Sequence, residues 1–202
     1  MSAVLENKIS KTSTNGVKPR LITVSEYDRM IEAGIYTEND RIELLNGEII
    51  EIMPKGAKHS VLNDLVLDLF KEKLGKQVYA RAQNPIILGD FSEPEPDIVL
   101  AKPPHEKYLQ NHPKSSDILL VVEISDTTLA YDRDDKALAY SRSGIEQYLL
   151  LNLQNETVED YREPSENGYQ FKRTLRKGGA FDLVAFPEVE INMDDLFTGE
   201  AK

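Results

Sequence analysis

An almost uninterrupted apolar segment, ILLVVEIS at 118–125, constrains the fold of this chain more than any other part of the sequence. Its residues do not alternate between apolar and polar, which is typical of a strand that is buried on both faces in the centre of a parallel or mixed sheet. Glu123 lies inside this segment, although burial of an unpaired carboxylate costs several kcal/mol. We therefore expect Glu123 either to meet water at the end of the strand or to have a positively charged partner such as a metal ion.

The segments around this strand predict an α/β fold with a mixed central sheet. A helical pattern at 132–143 and a buried strand at 147–151 follow it, and the order strand, helix, strand is typical of a right-handed crossover between parallel strands. Two antiparallel hairpins are predicted outside this unit. One is RIELLNGEIIEI at 41–52, where Asn-Gly favours a tight turn, and the other covers 157–175.

Periodicity and chain breakers predict the remaining elements. These are two helices at 25–34 and 59–74 and three short strands at 77–79, 86–88 and 97–100. Ser25 is the predicted N-cap of the first helix. Residues 1–20 are polar and aperiodic, which is typical of a flexible tail. We expect a single domain over 21–202.

The composition limits the classes of partner and compartment. With 24 basic and 35 acidic residues the net charge is −11, which argues against broad, nonspecific binding of nucleic acid but leaves room for a local basic face. The absence of cysteine excludes disulfides and thiolate metal sites. The longest aliphatic run is far too short to span a bilayer, and the N-terminal segment lacks the apolar core of a secretion signal. We expect a cytoplasmic protein without a membrane segment.

A second carboxylate, Asp97, opens the predicted strand PDIVL, where Pro96 marks a strand start or an edge. If this strand lies antiparallel beside 118–124, Asp97 comes opposite Glu123. Two carboxylates at that spacing repel each other unless one takes up a proton or a divalent cation lies between them. Oxygen ligands without cysteine suit Mg²⁺ or Mn²⁺. Asp97 taken alone also fits a turn residue, because Asp and Pro both favour turns.

Four longer blocks carry a resemblance to a known family: RIELLNGEII, MPKGAKHS, EPEPDIVL and LLVVEISDTTLAYDRDDKALAYSRSGIEQYLLLN. The Pro-Asp pair at 96–97 and the Glu-x-Ser at 123–125 resemble the site motif of the PD-(D/E)xK nuclease superfamily. The chain from about 21 to 197 more closely resembles a restriction-endonuclease-like family that is abundant in cyanobacteria and often called Uma-type. The resemblance implies a restriction-endonuclease-like mixed sheet flanked by helices, with extra antiparallel hairpins.

The superfamily pattern implies a lysine two residues after Glu123, but this chain has Ser125 there. Serine cannot supply the positive charge that a lysine places near a reacting phosphate. Lys136 is the predicted replacement, because it matches the Uma-type pattern D-R-x-x-K-x-x-x-Y, which here ends at Tyr140. Lys136 also fits a solvated helix lysine or a partner of Asp132. As an exposed helix residue it is expected to tolerate replacement by alanine.

Three further residues fall in the matched blocks. Glu43 matches the family's N-terminal Glu, which the resemblance places beside the metal site, although it also fits the solvent side of a hairpin strand. His59 matches a His that opens the long helix, and it fits a helix-start residue better than a ligand. Gln83 lies in the stretch before the Pro-Asp pair, and the resemblance gives it no role.

The resemblance implies an endonuclease in which Asp97, Glu123 and Glu43 hold Mg²⁺ or Mn²⁺ and Lys136 orients the attacking water or stabilises the transition state. The implied substrate is nucleic acid, with DNA expected, and the implied products carry a 5′-phosphate and a 3′-hydroxyl. Because cutting both strands of a duplex takes two sites, a homodimer is expected. The alternative is a catalytically weak or inactive module of the same fold that binds nucleic acid or protein, which the acidic net charge and the missing strand lysine favour.

Overall fold

Ten strands, four helices and three 3₁₀ turns make up the computed structural model, which describes residues 18–37 and 39–197. The strands are Ile42–Leu45 (β1), Glu48–Glu51 (β2), Tyr79–Ala82 (β3), Ile98–Ala101 (β4), Ile118–Ser125 (β5), Gln147–Asn152 (β6), Thr157–Arg162 (β7), Phe171–Leu175 (β8), Ala180–Leu183 (β9) and Phe186–Asn192 (β10). The helices are Val24–Glu32 (α1), Ala57–Leu74 (α2), a composite helix at 129–142 (α3) and Met193–Phe197 (α4). The 3₁₀ turns cover Gly75–Gln77, His105–Tyr108 and Ser115–Asp117.

A mixed six-stranded sheet in the order β3-β4-β5-β6-β7-β8 forms the centre of the fold. Only the β5–β6 pair is parallel within this sheet, and the other neighbours are antiparallel. Two separate antiparallel hairpins, β1–β2 and β9–β10, lie outside it. The predicted α/β fold with a mixed central sheet, flanking helices and extra hairpins is therefore confirmed, and so is the parallel pairing across α3.

β5 is covered on both faces, which explains its unbroken apolar sequence. Val122 packs with Phe70 of α2 in one hydrophobic cluster, and Val121 packs with Tyr140 of α3 in the other. Strands lie on both of its edges as well, because β4 and β6 pair with it. Its carboxyl end, which carries Glu123, therefore lies between two strands and two helices.

α3 is not a regular α-helix. Two short α-helical segments, Leu129–Tyr131 and Ala137–Arg142, flank a π-helical turn at Asp132–Lys136, in which the Ala137 N–H donates to the Asp132 carbonyl five residues back. Single π turns inside α-helices occur often at functional sites, because the extra residue widens the turn and redirects side chains. Here it redirects a segment that runs directly from the end of β5.

Several predicted boundaries differ from the structure. The N-cap of α1 is Thr23 and not Ser25: the Thr23 hydroxyl accepts the Glu26 N–H, and the Glu26 carboxylate accepts the Thr23 N–H. The strand predicted at 77–79 begins at Tyr79, because a 3₁₀ turn follows α2.

No strand forms at 86–88 within the described residues, where Ile87 makes only an isolated bridge to Lys114. The hairpin β9–β10 and the helix α4 were not predicted. Residues 1–17 of the predicted tail lie outside the described residues, and the extent of the domain stays a prediction. Among residues 18–37 and 39–197, no helix combines the length and the apolar composition needed to cross a bilayer.

Candidate active site

A cleft of about 370 Å³ opens where β4 begins and β5 ends. Of the described side chains that line it, seven carry a carboxyl group: Glu43, Glu51, Glu95, Asp97, Glu123, Asp126 and Asp132. Two lysines and one histidine are the basic residues of the lining: Lys55, Lys136 and His59. The cleft therefore has an excess of negative charge. This charge repels a phosphate group unless a further cation is present.

Asp97 and Glu123 lie side by side at the inner end of this cleft. β4 and β5 are antiparallel, and their register pairs Ile98 with Val122, so that one residue further Asp97 comes opposite Glu123. The Asp97 N–H donates to Glu123 Oε2 at 3.3 Å, and the Ile124 N–H donates to Asp97 Oδ2 at 2.8 Å. The predicted juxtaposition of the two carboxylates is thus present, while their chemical roles stay a prediction.

Asp97 is buried, and two basic side chains contact it. His59 Nε2 lies 3.0 Å from Asp97 Oδ2, and Lys55 Nζ lies 2.7 Å from Asp97 Oδ1 in an ion pair without ideal hydrogen-bond geometry. Burial alone would raise the pKa of Asp97, but the hydrogen bond from His59 and the charge of Lys55 outweigh it, so the pKa is lowered. Asp97 is therefore ionised at neutral pH.

Lys136 reaches Glu123 from α3 and also contacts Glu43 from β1. Its Nζ lies 2.9 Å from Glu123 Oε1 and 3.2 Å from Glu43 Oε2. The expectation that Lys136 is exposed is wrong, because only 5% of it is accessible. Burial alone would lower the pKa of Lys136, but the charges of Glu123, Glu43 and Asp132 raise it well above its ordinary value. The side chain is therefore an ammonium group at neutral pH.

Glu123 is in a different electrostatic state from Asp97. Burial, with 4% of the residue accessible, raises its pKa to about 8, and the charges of Asp97, Asp132 and Glu43 act in the same direction. The charge of Lys136 only partly offsets this rise. Two carboxylates at one strand end therefore have pKa values shifted in opposite directions. A cation added to this cleft would favour the ionised form of Glu123.

Two tyrosines hold the glutamates in place. The Tyr140 hydroxyl donates to Glu123 Oε1 at 2.6 Å, and the Tyr131 hydroxyl donates to Glu43 Oε1 at 3.0 Å. The Glu95 N–H donates to the second oxygen of Glu43 at 3.0 Å. Each glutamate thus has its carboxyl group fixed by donors on both oxygens.

The other predicted candidates lie in different positions. Ser125 is buried, and its hydroxyl lies 3.3 Å from that of Thr128, which in turn donates to Asp132 at 2.6 Å. Gln83 is exposed, and its backbone N–H donates to the carbonyls of Pro96 and Asp97, so it fixes the entry to β4 without a side-chain contact to the carboxylates.

Sequence reasoning missed three of the contacting residues: Lys55, Glu95 and Tyr131. Each of them falls inside a block that carries the family resemblance, MPKGAKHS, EPEPDIVL or LLVVEISDTTLAYDRDDK. Their position within these blocks was the signal that could have identified them. Nothing in the local pattern distinguishes them from loop or surface residues.

The donor set of this cleft suits the divalent ion that the resemblance implies in chemistry and charge. Its oxygens are the hard donors that Mg²⁺ and Mn²⁺ prefer, and their excess charge favours a divalent cation. Among the described residues, however, no three acidic or histidine side chains converge closely enough to hold an ion. The ammonium of Lys136 instead lies between Glu43 and Glu123. The described side chains thus suit the ion in chemistry and charge but do not form a ready coordination site, and Asp97 and Glu123 are the carboxyl groups that lie side by side.

Comparisons with known proteins give a family for this chain and a solved structure with a similar fold. The model of a family described as "Uma2: Putative restriction endonuclease" matches residues 24–194. A solved structure, "a putative nuclease belonging to DUF820 from Anabaena variabilis" at 1.96 Å resolution, is similar to this chain with a TM-score of 0.68 and 20% sequence identity. The match covers 87% of this chain and 97% of that one, which shows a shared fold. No curated protein matches the chain.

Proposed function

Because the chain belongs to the Uma2 family, described as "Putative restriction endonuclease", we propose that it is a metal-dependent nuclease that hydrolyses phosphodiester bonds of DNA. The observation that carries this proposal is the arrangement of Asp97, Glu123 and Lys136 at the inner end of an acidic cleft. A buried pair of carboxylates beside a buried ammonium group has the parts that phosphodiester hydrolysis needs: metal ligands and a fixed positive charge.

Asp97 and Glu123 would hold Mg²⁺ or Mn²⁺, with Glu43 next to them. When bound, such an ion lowers the pKa of water and shields the charge of the scissile phosphate. The two carboxylates would play different parts: Asp97 is already ionised, whereas Glu123 carries its proton over much of the neutral range. Ion binding would therefore release a proton from Glu123, so affinity rises with pH.

Lys136 acts as a hydrogen-bond donor and not as a general base, because its pKa is raised well above the ordinary value. Its ammonium would orient the attacking water and stabilise the charge that develops on the phosphate. In the reaction the water oxygen bonds to phosphorus as the bond from phosphorus to the 3′ oxygen breaks. The water loses one proton to solvent and the departing 3′ oxygen gains one, which gives a 5′-phosphate and a 3′-hydroxyl.

The surrounding side chains position these groups. His59 and Lys55 fix the two oxygens of Asp97, and Tyr140 fixes Glu123. Rigid support of this kind matters because small displacements of catalytic groups lower the rate steeply. We assign these residues to positioning, because their contacts are to the carboxylates.

A second candidate function is a binding module without turnover. The position of the Lys136 ammonium between Glu43 and Glu123 favours it, because such an arrangement satisfies the glutamates without a metal ion. The net charge of −11 favours it as well. The two candidates differ in one respect that an assay can measure, which is whether a divalent ion produces cleavage.

Cleavage assays on duplex DNA, single-stranded DNA and RNA, with Mg²⁺, Mn²⁺ or EDTA, test the proposal. We expect cleavage with either ion, none in EDTA, and none by Asp97→Asn. Asp64→Asn is the matched control, because Asp64 undergoes the same chemical change on an exposed face of α2, outside the cleft. If the wild-type protein cleaves none of the three substrates with either ion, the binding module is the better assignment.

A further inference from the structure

Arg81 is a buried cation without an acidic partner among the described residues. Only 9% of it is accessible, and no carboxylate in 18–37 or 39–197 forms an ion pair with it. Its Nε is buried and has no hydrogen-bond partner there. A long hydrogen bond joins the guanidinium group to His112, whose Nδ1 lies 3.5 Å from Arg81 Nη2. His112 is itself 3.9 Å from Glu93 on its other ring nitrogen.

A buried arginine without a counter-ion lowers the stability of the folded state. A buried charge needs a counter-ion and hydrogen bonds to offset its desolvation. Burial lowers the pKa of Arg81 for this reason, and no carboxylate opposes the effect. The other buried cation of this face, Lys136, has two glutamates against it. The difference indicates that the counter-ion of Arg81 comes from another molecule.

One aromatic ring lies next to the guanidinium group, and two further rings lie against that ring. Arg81 lies 5.9 Å from the centre of the Tyr79 ring, and Tyr79 stacks on Tyr108 at 5.7 Å. The largely exposed His105 lies 5.8 Å from Tyr79. Flat rings next to a cation are what proteins use to bind the bases and phosphates of a single strand. An anion of another class, such as an acidic peptide, has no bases that could stack on the rings.

The position of Arg81 connects it to the cleft. The register pairs Arg81 with Val99 and Val99 with Val121, and Asp97 and Glu123 lie two residues further along the same strands. Side chains two residues apart point to the same face of a sheet. Arg81 therefore shares a face with both carboxylates, and its α-carbon is roughly 8 Å from that of Asp97 by the ordinary spacings of strands and residues.

We propose that Arg81 binds a phosphodiester group of a nucleic-acid strand where the strand leaves the cleft, with the rings of Tyr79, Tyr108 and His105 beside the adjacent base. The proposal rests on the proposed function, because it extends the path of that substrate. Arg81 is a substrate-binding residue in this arrangement, since it contacts the strand away from the scissile bond. Its charge is left without an internal partner because the substrate supplies one.

Thermal unfolding gives the first test. Arg81→Met removes the charge at similar length, and we expect it to melt at the same temperature as the wild type or higher, because an uncompensated buried charge is removed. Inorganic phosphate at constant ionic strength should raise the melting temperature of the wild type and have little effect on Arg81→Met. Arg133→Gln is the control, since Arg133 is paired with Glu159 and the net charge changes equally. Its response to phosphate should equal that of the wild type.

Binding of a thymidine oligonucleotide in EDTA gives the second test and does not depend on cleavage. We expect Arg81→Met to bind severalfold more weakly and to reduce the slope of log affinity against log salt by about 0.7, the value for one phosphate contact on a single strand. Arg81→Lys should keep the slope, and Arg133→Gln should not change it. Linear polyphosphate of equal charge should bind more weakly than the oligonucleotide, because it offers no bases to the rings.

Three results would overturn the proposal. One is a lower melting temperature of Arg81→Met with an unchanged salt slope, which would make Arg81 a structural residue. Another is an equal affinity for polyphosphate and oligonucleotide, and the third is no binding of the oligonucleotide at all. An altered slope in a protein that never cleaves would leave the Arg81 proposal standing and refute only the nuclease activity.

Discussion

Replacement of Lys136 by methionine tests how far the cleft depends on one internal cation. The change removes the charge at similar length and leaves Glu123 and Glu43 without the ammonium that contacts both. Breaking a buried ion pair from one side costs about 3–5 kcal/mol. We expect the lower end, about 3 kcal/mol at pH 7, because Glu123 is already largely protonated at that pH and has little charge to leave unpaired. For a domain of this size that corresponds to a decrease of roughly 6–12 °C in melting temperature.

The effect should grow with pH. The pKa of Glu123 is raised from the ordinary value of 4.5 to about 8 in the folded protein. Between these two pH values the folded protein holds a proton that the unfolded chain has released, so the stability that this proton contributes is greatest below pH 4.5 and decreases as the pH rises to 8. The charge of Lys136 lowers this pKa, and without it the pKa rises further. In Lys136→Met the free energy of unfolding therefore continues to decrease above pH 8. The difference in unfolding free energy from the wild type should therefore increase mainly above pH 8, by up to about 1.4 kcal/mol per pH unit.

Urea unfolding followed by circular dichroism at pH 6, 7 and 9 measures this difference. Lys71→Met is the control, because Lys71 is half exposed on α2 near Asp68 and should change stability by less than about 0.5 kcal/mol. Adding Glu123→Gln to Lys136→Met should recover part of the loss, since the double variant has no unpaired charge at that position. A difference below about 1 kcal/mol, or one that shrinks as the pH rises, would refute the assignment of Lys136 as the counter-ion.

Three other predictions concern the same cleft and the assembly. Mg²⁺ or Mn²⁺ should raise the melting temperature of the wild type, and Glu123→Gln should abolish the shift; equal shifts would remove Glu123 from the ligands. Tyr140→Phe should lower the unfolding free energy by about 1.5–3 kcal/mol, since it removes a hydrogen bond to a buried carboxyl group. Urea unfolding measures this change, and an unchanged midpoint of the urea transition would contradict the role given to Tyr140. Light scattering should give twice the chain mass of 22.9 kDa, and a monomer at high concentration would contradict the proposed homodimer.

The two carboxylates could be placed from the sequence because local signals fix both. Pro96 sets the start of one strand, and the apolar run around Glu123 requires the centre of the sheet. The reach of Lys136 from the next helix was also predicted. Its burial was not, because the sequence DRDDK is typical of an exposed helix, and the partner that encloses it, Glu43, lies 93 positions earlier in the chain. Contacts of that separation leave no local pattern.

The errors in the fold have similar causes. β9 and β10 form a hairpin outside the main sheet, and Pro187 and the acidic residues of the second strand conceal its alternation. Ile86 was predicted to lie in a strand from its apolar sequence. It is fully buried, but its N–H donates within the loop, to the Pro94 carbonyl. The capping box of α1 was readable in Thr23-x-x-Glu26, and Ser25 was the wrong choice between two good N-cap residues.

The π-helical turn of α3 makes the number of residues in this segment as important as their identity. Asp132, Lys136 and Tyr140 are all buried at a spacing of four. In an ideal α-helix, eight residues turn about 80° beyond two full turns, so the first and last of them would point apart. The wider turn reduces this drift. Because a π turn accommodates one extra residue, deleting one residue from 132–136 would restore an α-helix and leave the two ends of the segment in nearly the same relative orientation. Such a deletion would keep the path of the helix and change only the spacing inside the turn, so it would show whether the extra residue itself places Lys136 between Glu43 and Glu123.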